Sequence, residues 1–278
     1  MTEIPRGLGG AFAFVLGACI GSFVNVVAYR LPREISIAGP RSFCPSCGHS
    51  IPAWANVPIL AYLGLRGRCL ICRAAIPFRY FLTEFGLAVA GLYLYLSFPP
   101  VEALARFILC AALFAISLID YDWRIIPHEI SMPGIVIGFM FAAFALPEVG
   151  WKSSLIGIVV GAGGLFALGE LYMLVRHQEG VGMGDVFLIG MIGAFLGWPA
   201  VFFTLFIGSI FGSIGGVVVA LTGSRGDAPV EGANPEGDTA EADTSILQTA
   251  VPFGPFLSLA AGIYAIFQPE LMRWYFYG

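Results

Sequence analysis

The stretch FILCAALFAISLID, residues 107–120, is an apolar run that ends on the carboxylate of Asp120. A second boundary of this kind follows the glycine-rich string GVGMG, residues 180–184, where Asp185 precedes the apolar run that begins at Val186. Carboxylates at membrane depth are costly, and those that occur there usually have a function. Two carboxylates that share one proton form an acid/base pair able to activate water. The sequence therefore predicts that Asp120 and Asp185 form a catalytic pair.

The composition indicates a helical protein that crosses a membrane several times. Hydrophobic residues make up 58% of the 278 residues, charged residues make up 12%, and the mean hydropathy is +0.85. Soluble domains are far less apolar than this. We predict an all-α polytopic membrane protein with about eight transmembrane helices, each long enough, or nearly so, to cross a core of about 30 Å. The expected spans are residues 8–29, 80–97, 103–120, 128–147, 154–176, 184–198, 199–222 and 250–268. The sixth span is short and ends at Trp198-Pro199, so seven spans are the alternative.

The basic residues set the expected orientation, because short cytoplasmic loops carry the excess of Lys and Arg. The loop after the first span holds a single acid, Glu34, against a cluster of arginines. These are Arg30, Arg33, Arg41, Arg66, Arg68, Arg73 and Arg79. We expect this loop on the cytoplasmic side, where it could also contact anionic lipid. Counting spans forward from it puts both Asp120 and Asp185 at the cytoplasmic face.

The polar segments divide the chain into five predicted units. Residues 1–30 form the first transmembrane helix, and residues 31–79 form a small cytoplasmic domain inserted before the second. Residues 80–222 form a transmembrane core. Residues 223–249 hold six acids and no apolar periodicity, which predicts a flexible cytoplasmic loop without chemistry. Residues 250–278 form the last transmembrane helix and the C-terminus.

Two CxxC pairs lie in the polar domain, Cys44 with Cys47 and Cys69 with Cys72, separated by 21 residues. Four thiolates in this pattern can bind Zn²⁺ in tetrahedral geometry. A disulfide framework is the alternative, but a cytosolic location disfavours it. His49 follows the first pair closely and could replace one cysteine. A closed four-cysteine site has no open position for substrate, so we expect a structural zinc ion.

Both aspartate segments also allow a purely structural interpretation. Asp120 and Asp122 could mark a solvated helix end, with Arg124 as their ion-pair partner. Asp185 could be an acid at a helix N-terminus, where it is favourable to the helix dipole. The glycines before Asp185 let another chain approach closely, and two aspartates expected at the same depth favour catalysis.

Several motifs together resemble the type IV prepilin leader peptidases, the membrane aspartic proteases of the GxGD class that also N-methylate the trimmed pilin. The resemblance covers nearly the whole chain. Its motifs are GSFVNVVAYRLP (21–32), the four-cysteine domain through Arg79-Tyr80 and Glu84, Ile119-Asp120 with Ile126-Pro127, GMGD (182–185) and PFGPF (252–256).

This resemblance implies an activity and its substrates. Asp120 and Asp185 would be the catalytic pair, with Asp122 as an acidic neighbour. The substrate would be a prepilin or pseudopilin with a basic leader and an apolar helix, cut at the cytoplasmic face of the bacterial inner membrane. The new N-terminal residue would then be methylated from S-adenosylmethionine. Membrane lipid is the other expected partner, and no nucleic acid is expected.

By the same resemblance, five residues are candidates for the methyl-donor site: Trp54, Asn56, Gly67, Arg68 and Glu84. Arg68 departs from the lysine common in the family, although the charge is kept. Each candidate also has a structural interpretation. Trp54 could be an interfacial aromatic, Gly67 a turn, Arg68 a lipid-facing charge, and Glu84 a partner for Arg79.

Two rival functions stay open at this stage. A transporter with intramembrane carboxylates would explain the acids and the glycine-interrupted helices, but not the four-cysteine domain. A peptidase without methyltransferase activity would explain the protease motifs alone. The sequence leaves the oligomeric state open.

Overall fold

The computed structural model describes residues 6–39, 41–177, 180–222 and 252–277. The predicted acidic loop, residues 223–249, lies outside these ranges. Within the described residues the secondary structure is helical, without a β-strand. The prediction of an all-α protein is confirmed.

Ten α-helices follow one another along the described chain. They are α1 (Arg6–Arg30), α2 (Leu60–Gly64), α3 (Phe78–Ser97), α4 (Pro100–Trp123), α5 (His128–Phe144), α6 (Gly150–Ile158), α7 (Gly164–Arg176), α8 (Met183–Leu196), α9 (Trp198–Thr222) and α10 (Gly254–Tyr277). A π-helical turn, Val159–Gly163, joins α6 to α7 in one continuous helix. Five of these segments are long and apolar enough to cross a membrane, including the joined α6–α7. Three apolar helices, residues 128–144, 183–196 and 254–268, are shorter.

Prolines and left-handed residues set the helix boundaries near the functional segments. α4 starts at Pro100, in the first turn, where proline is favoured, and Pro127 is the N-cap residue that precedes α5. α4 ends where Arg124 adopts φ 56° and its N–H bonds to the carbonyl of Asp120 at 2.9 Å. Gly197, with φ 80°, separates α8 from α9, so the short sixth segment is a helix of its own.

Small residues four apart in the sequence, such as Gly17 and Gly21, let the helices approach closely. A Cβ on Gly17 would lie 2.5 Å from the carbonyl oxygen of Leu87, and one on Gly21 would lie 2.6 Å from Cα of Glu84. Helices α1 and α3 therefore pack backbone to backbone. Gly157 of α6 and Gly193 of α8 form a second contact of this kind. In lipid, close packing of this sort drives helix association.

The largest buried apolar cluster includes Leu109 and Ile116 of α4, Leu188 and Ile192 of α8, and Leu257 of α10. Helix α4 ends at the same end of the bundle at which α8 and α10 begin. The polar segment between α1 and α3 lies at this end as well, since Arg79 pairs with Asp122 there. The fold thus places both predicted functional regions together.

Candidate active site

Asp120 lies in the last turn of α4 and is buried, with 5% of its surface exposed. Its Oδ2 accepts a hydrogen bond of 2.9 Å from the backbone N–H of Gly254, the first residue of α10. Hydrogen bonds from backbone N–H groups to carboxylates are charge-assisted and comparatively strong. The side chain is therefore held in one orientation by a helix that begins 134 residues later.

Asp185 lies in the first turn of α8, and its Oδ1 is buried without a hydrogen-bond partner among the described residues. The residue before it, Gly184, packs against Ile126, which follows the end of α4. The start of α8 therefore lies next to the helix end that carries Asp120, close enough for the charge of Asp120 to act on the Asp185 carboxylate. Buried polar atoms are nearly always hydrogen-bonded in proteins. An oriented carboxylate beside one with an available oxygen is an arrangement that can bind and activate a water molecule.

Asp185 lies in the first turn of α8, as the helix-dipole interpretation expects, but the interpretation of Asp120 and Asp122 as a solvated helix end paired with Arg124 is not supported. Asp122 pairs with Arg79, at 2.5 and 2.7 Å from its two carboxylate oxygens, rather than with Arg124. Asp120 is buried rather than solvated. Asp122 is partly exposed, so the two acids of this segment have different environments.

The four predicted zinc ligands converge. The sulfur atoms of Cys44, Cys47, Cys69 and Cys72 all lie within 4.8 Å of one another, and none forms a disulfide. The sulfurs of Cys44 and Cys72 are 3.8 Å apart, close to the roughly 3.8 Å edge of a tetrahedron with Zn–S bonds of about 2.3 Å. Hydrogen bonds from the backbone at Ile71 and Cys72 lower the pKa of Cys69 to about 6. Against a backbone hydrogen bond at Ala74, desolvation and the neighbouring sulfurs raise the pKa of Cys72 to about 11, so Cys69 is the thiolate that this arrangement favours.

The two cysteine knuckles have the same local geometry. An antiparallel bridge closes each one, Phe43 with Ser50 and Arg68 with Ala75. Backbone N–H groups also return to the first cysteine of each pair, from Gly48 to the Cys44 carbonyl and from Arg73 to the Cys69 carbonyl. His49 contributes only its carbonyl, which accepts the Cys44 N–H at 3.0 Å. The donor set is four sulfurs, which fits Zn²⁺, and among the described residues the cluster does not include His49.

A cavity of about 460 Å³ lies between the cysteine domain and helices α1 and α3. This volume is in the range of small-molecule sites. Of the five candidates for the methyl-donor site, Asn56 and Glu84 line the cavity. The other three are outside its lining. Trp54 is 64% exposed, and Arg68 is exposed as well.

Gly67 is buried and has φ 65°, and a Cβ there would lie 2.8 Å from the Tyr62 hydroxyl oxygen. These features agree with the turn interpretation. Glu84 accepts a hydrogen bond from the backbone N–H of Ile59 at 2.7 Å, so it is not the partner of Arg79. Asn25 donates from its side chain to the Tyr80 carbonyl at 3.1 Å, which joins α1 to α3, and it also lines the cavity.

Two arginines of the cavity wall reach the helix end that carries Asp120. Arg79 pairs with Asp122, and the Arg33 guanidinium lies 4.2 Å from the ring centre of Tyr29 and 4.8 Å from that of Trp123. The sequence predicted a role for Arg33 only in orientation, and for Arg79 also as a possible partner of Glu84. The fold shows that each arginine contacts a residue of α4 that lies within one helical turn of Asp120.

An all-helical membrane protein with one buried and one half-buried carboxylate at the same end of its bundle has the architecture of a polytopic membrane aspartic peptidase. Two family models match this chain. The bacterial peptidase A24 N-terminal domain matches residues 15–98, and the type IV leader peptidase family matches residues 107–217. The first range contains the cysteine domain, and the second contains Asp120 and Asp185.

Curated relatives match almost the whole chain. A prepilin leader peptidase/N-methyltransferase from Pseudomonas putida is 34% identical, over 93% of this chain and 91% of the relative. One from Burkholderia pseudomallei strain K96243 is 35% identical over 95% and 87%, and one from Myxococcus xanthus is 35% identical over 85% and 72%. No solved structure matches. The chain belongs to the type IV leader peptidase family, as its motifs predicted, and this membership excludes the transporter alternative.

Proposed function

We propose that this protein is a membrane aspartic endopeptidase that removes the leader of prepilins or pseudopilins and then N-methylates the new N-terminal residue. The observation that supports the proposal is that α8 begins next to the end of α4, with Asp120 buried on α4 and a buried Asp185 Oδ1 on α8 that has no partner among the described residues. Family membership and the names of the relatives support both activities.

In the proposed cleavage reaction, one carboxylate acts as general base on a water and the other, protonated, polarises the scissile carbonyl. Gly254 fixes the orientation of Asp120 through its N–H. Oδ1 of Asp185 has no partner among the described residues and is available to the water or the substrate carbonyl. Burial excludes bulk water, which strengthens the electrostatic interactions within the site.

The proposed substrate has a basic leader followed by an apolar helix. An apolar helix can lie against the lipid-facing surface of the bundle, and the peptide bond before it then reaches the end where the aspartates are. The excess of arginine in the polar domain supports a cytoplasmic location for this end, at the inner membrane. The exposed Arg66, Arg68 and Arg73 could bind anionic lipid headgroups there.

The proposed function includes a zinc ion and a methyl donor. A structural zinc ion would be held by Cys44, Cys47, Cys69 and Cys72, whose sulfurs already have a suitable spacing. S-adenosylmethionine would bind in the cavity, with Asn56 and Glu84 in its wall. It would supply the methyl group, while the cavity residues bind the donor and orient the substrate amine toward it.

Incubating the purified protein with a prepilin and labelled S-adenosylmethionine tests both activities, because cleavage and label transfer are scored separately. Asp120→Asn and Asp185→Asn should each abolish cleavage. Both variants should still methylate a peptide that begins at the processed N-terminus. Cleavage that survives both substitutions would refute the protease assignment, and cleavage without label transfer would identify a peptidase that lacks the second activity.

A further inference from the structure

Ile59 has a backbone conformation that a β-branched residue rarely adopts. Its φ is 64° and its ψ is −55°. The Leu60 N–H closes a three-residue turn onto the Pro58 carbonyl at 2.6 Å. This geometry is the strained form of the γ-turn, and positive φ at a β-branched residue is a true outlier. Such strain persists only where surrounding contacts impose it.

The contact at this turn comes from Glu84. Its Oε2 accepts the Ile59 N–H at 2.7 Å, across 25 residues of sequence. The Glu84 carboxylate also interacts with the side chain of Ser22. The backbone at Glu84 is itself fixed, because Gly21 of α1 packs directly against it. A charge-assisted hydrogen bond from a rigid helix can offset the strain of one residue.

The turn shapes the cavity wall. Asn56 and Val57 precede it, Ala61 and Tyr62 follow it, and all four line the cavity. If the turn relaxed, the residues on both sides of it would move. The contacts of the Glu84 carboxylate with the Ile59 N–H and with Ser22 hold it against the turn.

We propose that Glu84 is a positioning residue that locks the strained Pro58–Leu60 turn and thereby shapes the methyl-donor cavity. This inference deepens the proposed methyl transfer and rests on it for its effect on activity. The hydrogen bond between the Ile59 N–H and the Glu84 carboxylate is a property of the folded chain, and its effect on the turn can be measured without the donor.

The first test is hydrogen–deuterium exchange of the full-length protein over a peptide covering residues 57–65. Glu84→Ala should raise exchange in this peptide, because the Ile59 amide loses its acceptor. Glu84→Gln retains an acceptor and should leave exchange close to that of the unaltered protein. Unchanged exchange in Glu84→Ala would show that Glu84 does not hold the Pro58–Leu60 turn, whether or not the protein methylates any substrate. Unaltered protein that transfers no methyl group would instead refute the proposed methyltransferase function.

The second test relieves the strain instead of removing the carboxylate. Glycine adopts positive φ at little cost, so Ile59→Gly should restore much of the methyl transfer that Glu84→Ala loses. Val57→Gly is the matched control, since Val57 has an ordinary extended backbone with φ −71°, and it should restore nothing.

The kinetic outcome separates positioning from direct contact. Glu84→Ala should raise KM for S-adenosylmethionine about tenfold, the effect of losing one charged hydrogen bond, with a smaller change in kcat. Glu84→Gln should stay within about threefold of the unaltered protein. If Glu84→Gln is as damaging as Glu84→Ala, and Ile59→Gly rescues neither, then Glu84 contacts the donor or the amine and the proposal is wrong.

Discussion

Gly254 donates its backbone N–H to the Asp120 carboxylate at 2.9 Å, although the two residues are 134 positions apart in the chain. A Cβ on residue 254 would lie 2.6 Å from Oδ2 of Asp120. A contact this short would require the carboxylate or the helix to move. The last helix therefore orients a proposed catalytic group, and a residue without a side chain is needed at the point of contact.

Replacing this glycine should impair cleavage without unfolding the protein. In Gly254→Ala the new methyl group would displace the Asp120 carboxylate, and a displacement of about 1 Å can cost about 100-fold in rate. Cleavage kinetics with a prepilin measure the effect. Gly262→Ala is the control in the same helix, because no atom lies within 4 Å of a Cβ there. Equal activity of the two variants would show that Gly254 does not position Asp120.

The cysteine cluster should hold one zinc ion per chain. Cys69→Ser removes one of four sulfurs and should lower the bound metal markedly, since a closed tetrahedral site depends on all its ligands. Elemental analysis of the purified protein measures the bound zinc per chain. Cys19→Ser is the control, because Cys19 lies in α1 outside the cluster and should leave the zinc content unchanged. Zinc-free protein before any substitution would contradict the prediction.

Loss of zinc should also separate the two proposed activities. Cys44 and Cys69 line the cavity, so a cysteine domain without metal should lose its shape and its methyl transfer. The aspartates are held by α4, α8 and α10, and cleavage should therefore fall much less. Parallel assays of Cys69→Ser for leader cleavage and label transfer test this difference. An equal loss of both activities would show that the cysteine domain supports the aspartate site as well.

Local patterns in the sequence were sufficient for much of the fold. The apolar runs gave helices close to their predicted bounds. Glycines four residues apart became points of close backbone approach, Gly17 and Gly21 against α3, and Gly193 and Gly197 against Gly157. Gly216 also lies four residues after a glycine, Gly212, but no atom lies within 4 Å of a Cβ on Gly216. Spacing identifies residues that can pack closely, while the choice of partner depends on the tertiary arrangement.

Long-range polar contacts could not be predicted in this way. The motif PFGPF contains Gly254, but nothing in its local sequence indicates a hydrogen bond to Asp120. Similarly, the sequence suggested Arg79 as the partner of Glu84, whereas the fold pairs Arg79 with Asp122 and Glu84 with the Ile59 N–H. Such partners are decided by which helix ends meet, and this information is distributed over the whole chain.

Asp122 should contribute little to cleavage in spite of its closeness to Asp120. Its carboxylate pairs with Arg79, and the two side chains are 29% and 41% exposed. Exposed ion pairs contribute roughly 0.2–1 kcal/mol, so Asp122→Asn should reduce the cleavage rate less than about fivefold. Asp185→Asn, assayed in parallel, should abolish it. A loss in Asp122→Asn as large as that in Asp185→Asn would show that Asp122 takes part in cleavage and is not merely the partner of Arg79.

The contact between α6 and α8 should be the most sensitive packing position behind the aspartate site. A Cβ on Gly157 would lie 2.6 Å from the carbonyl oxygen of Gly193, and one on Gly193 would lie 2.5 Å from the backbone carbon and oxygen of Gly157. Backbone atoms cannot rotate away as a side chain can. Gly193→Ala should therefore force α6 and α8 apart and destabilise the protein by about 2 kcal/mol. Thermal unfolding in detergent should show a lower Tm.

Gly164→Ala in α7 is the matched control, because no atom lies within 4 Å of a Cβ there. Alanine favours a helix over glycine by about 1 kcal/mol, so this variant should unfold at an equal or higher temperature. The different expected changes in Tm for Gly193→Ala and Gly164→Ala separate a steric clash from the general effect of replacing glycine with alanine. Helix α8 carries Asp185 in its first turn, so Gly193→Ala should also slow leader cleavage. A Gly193→Ala protein as stable as Gly164→Ala would show that α6 and α8 do not meet at these two glycines.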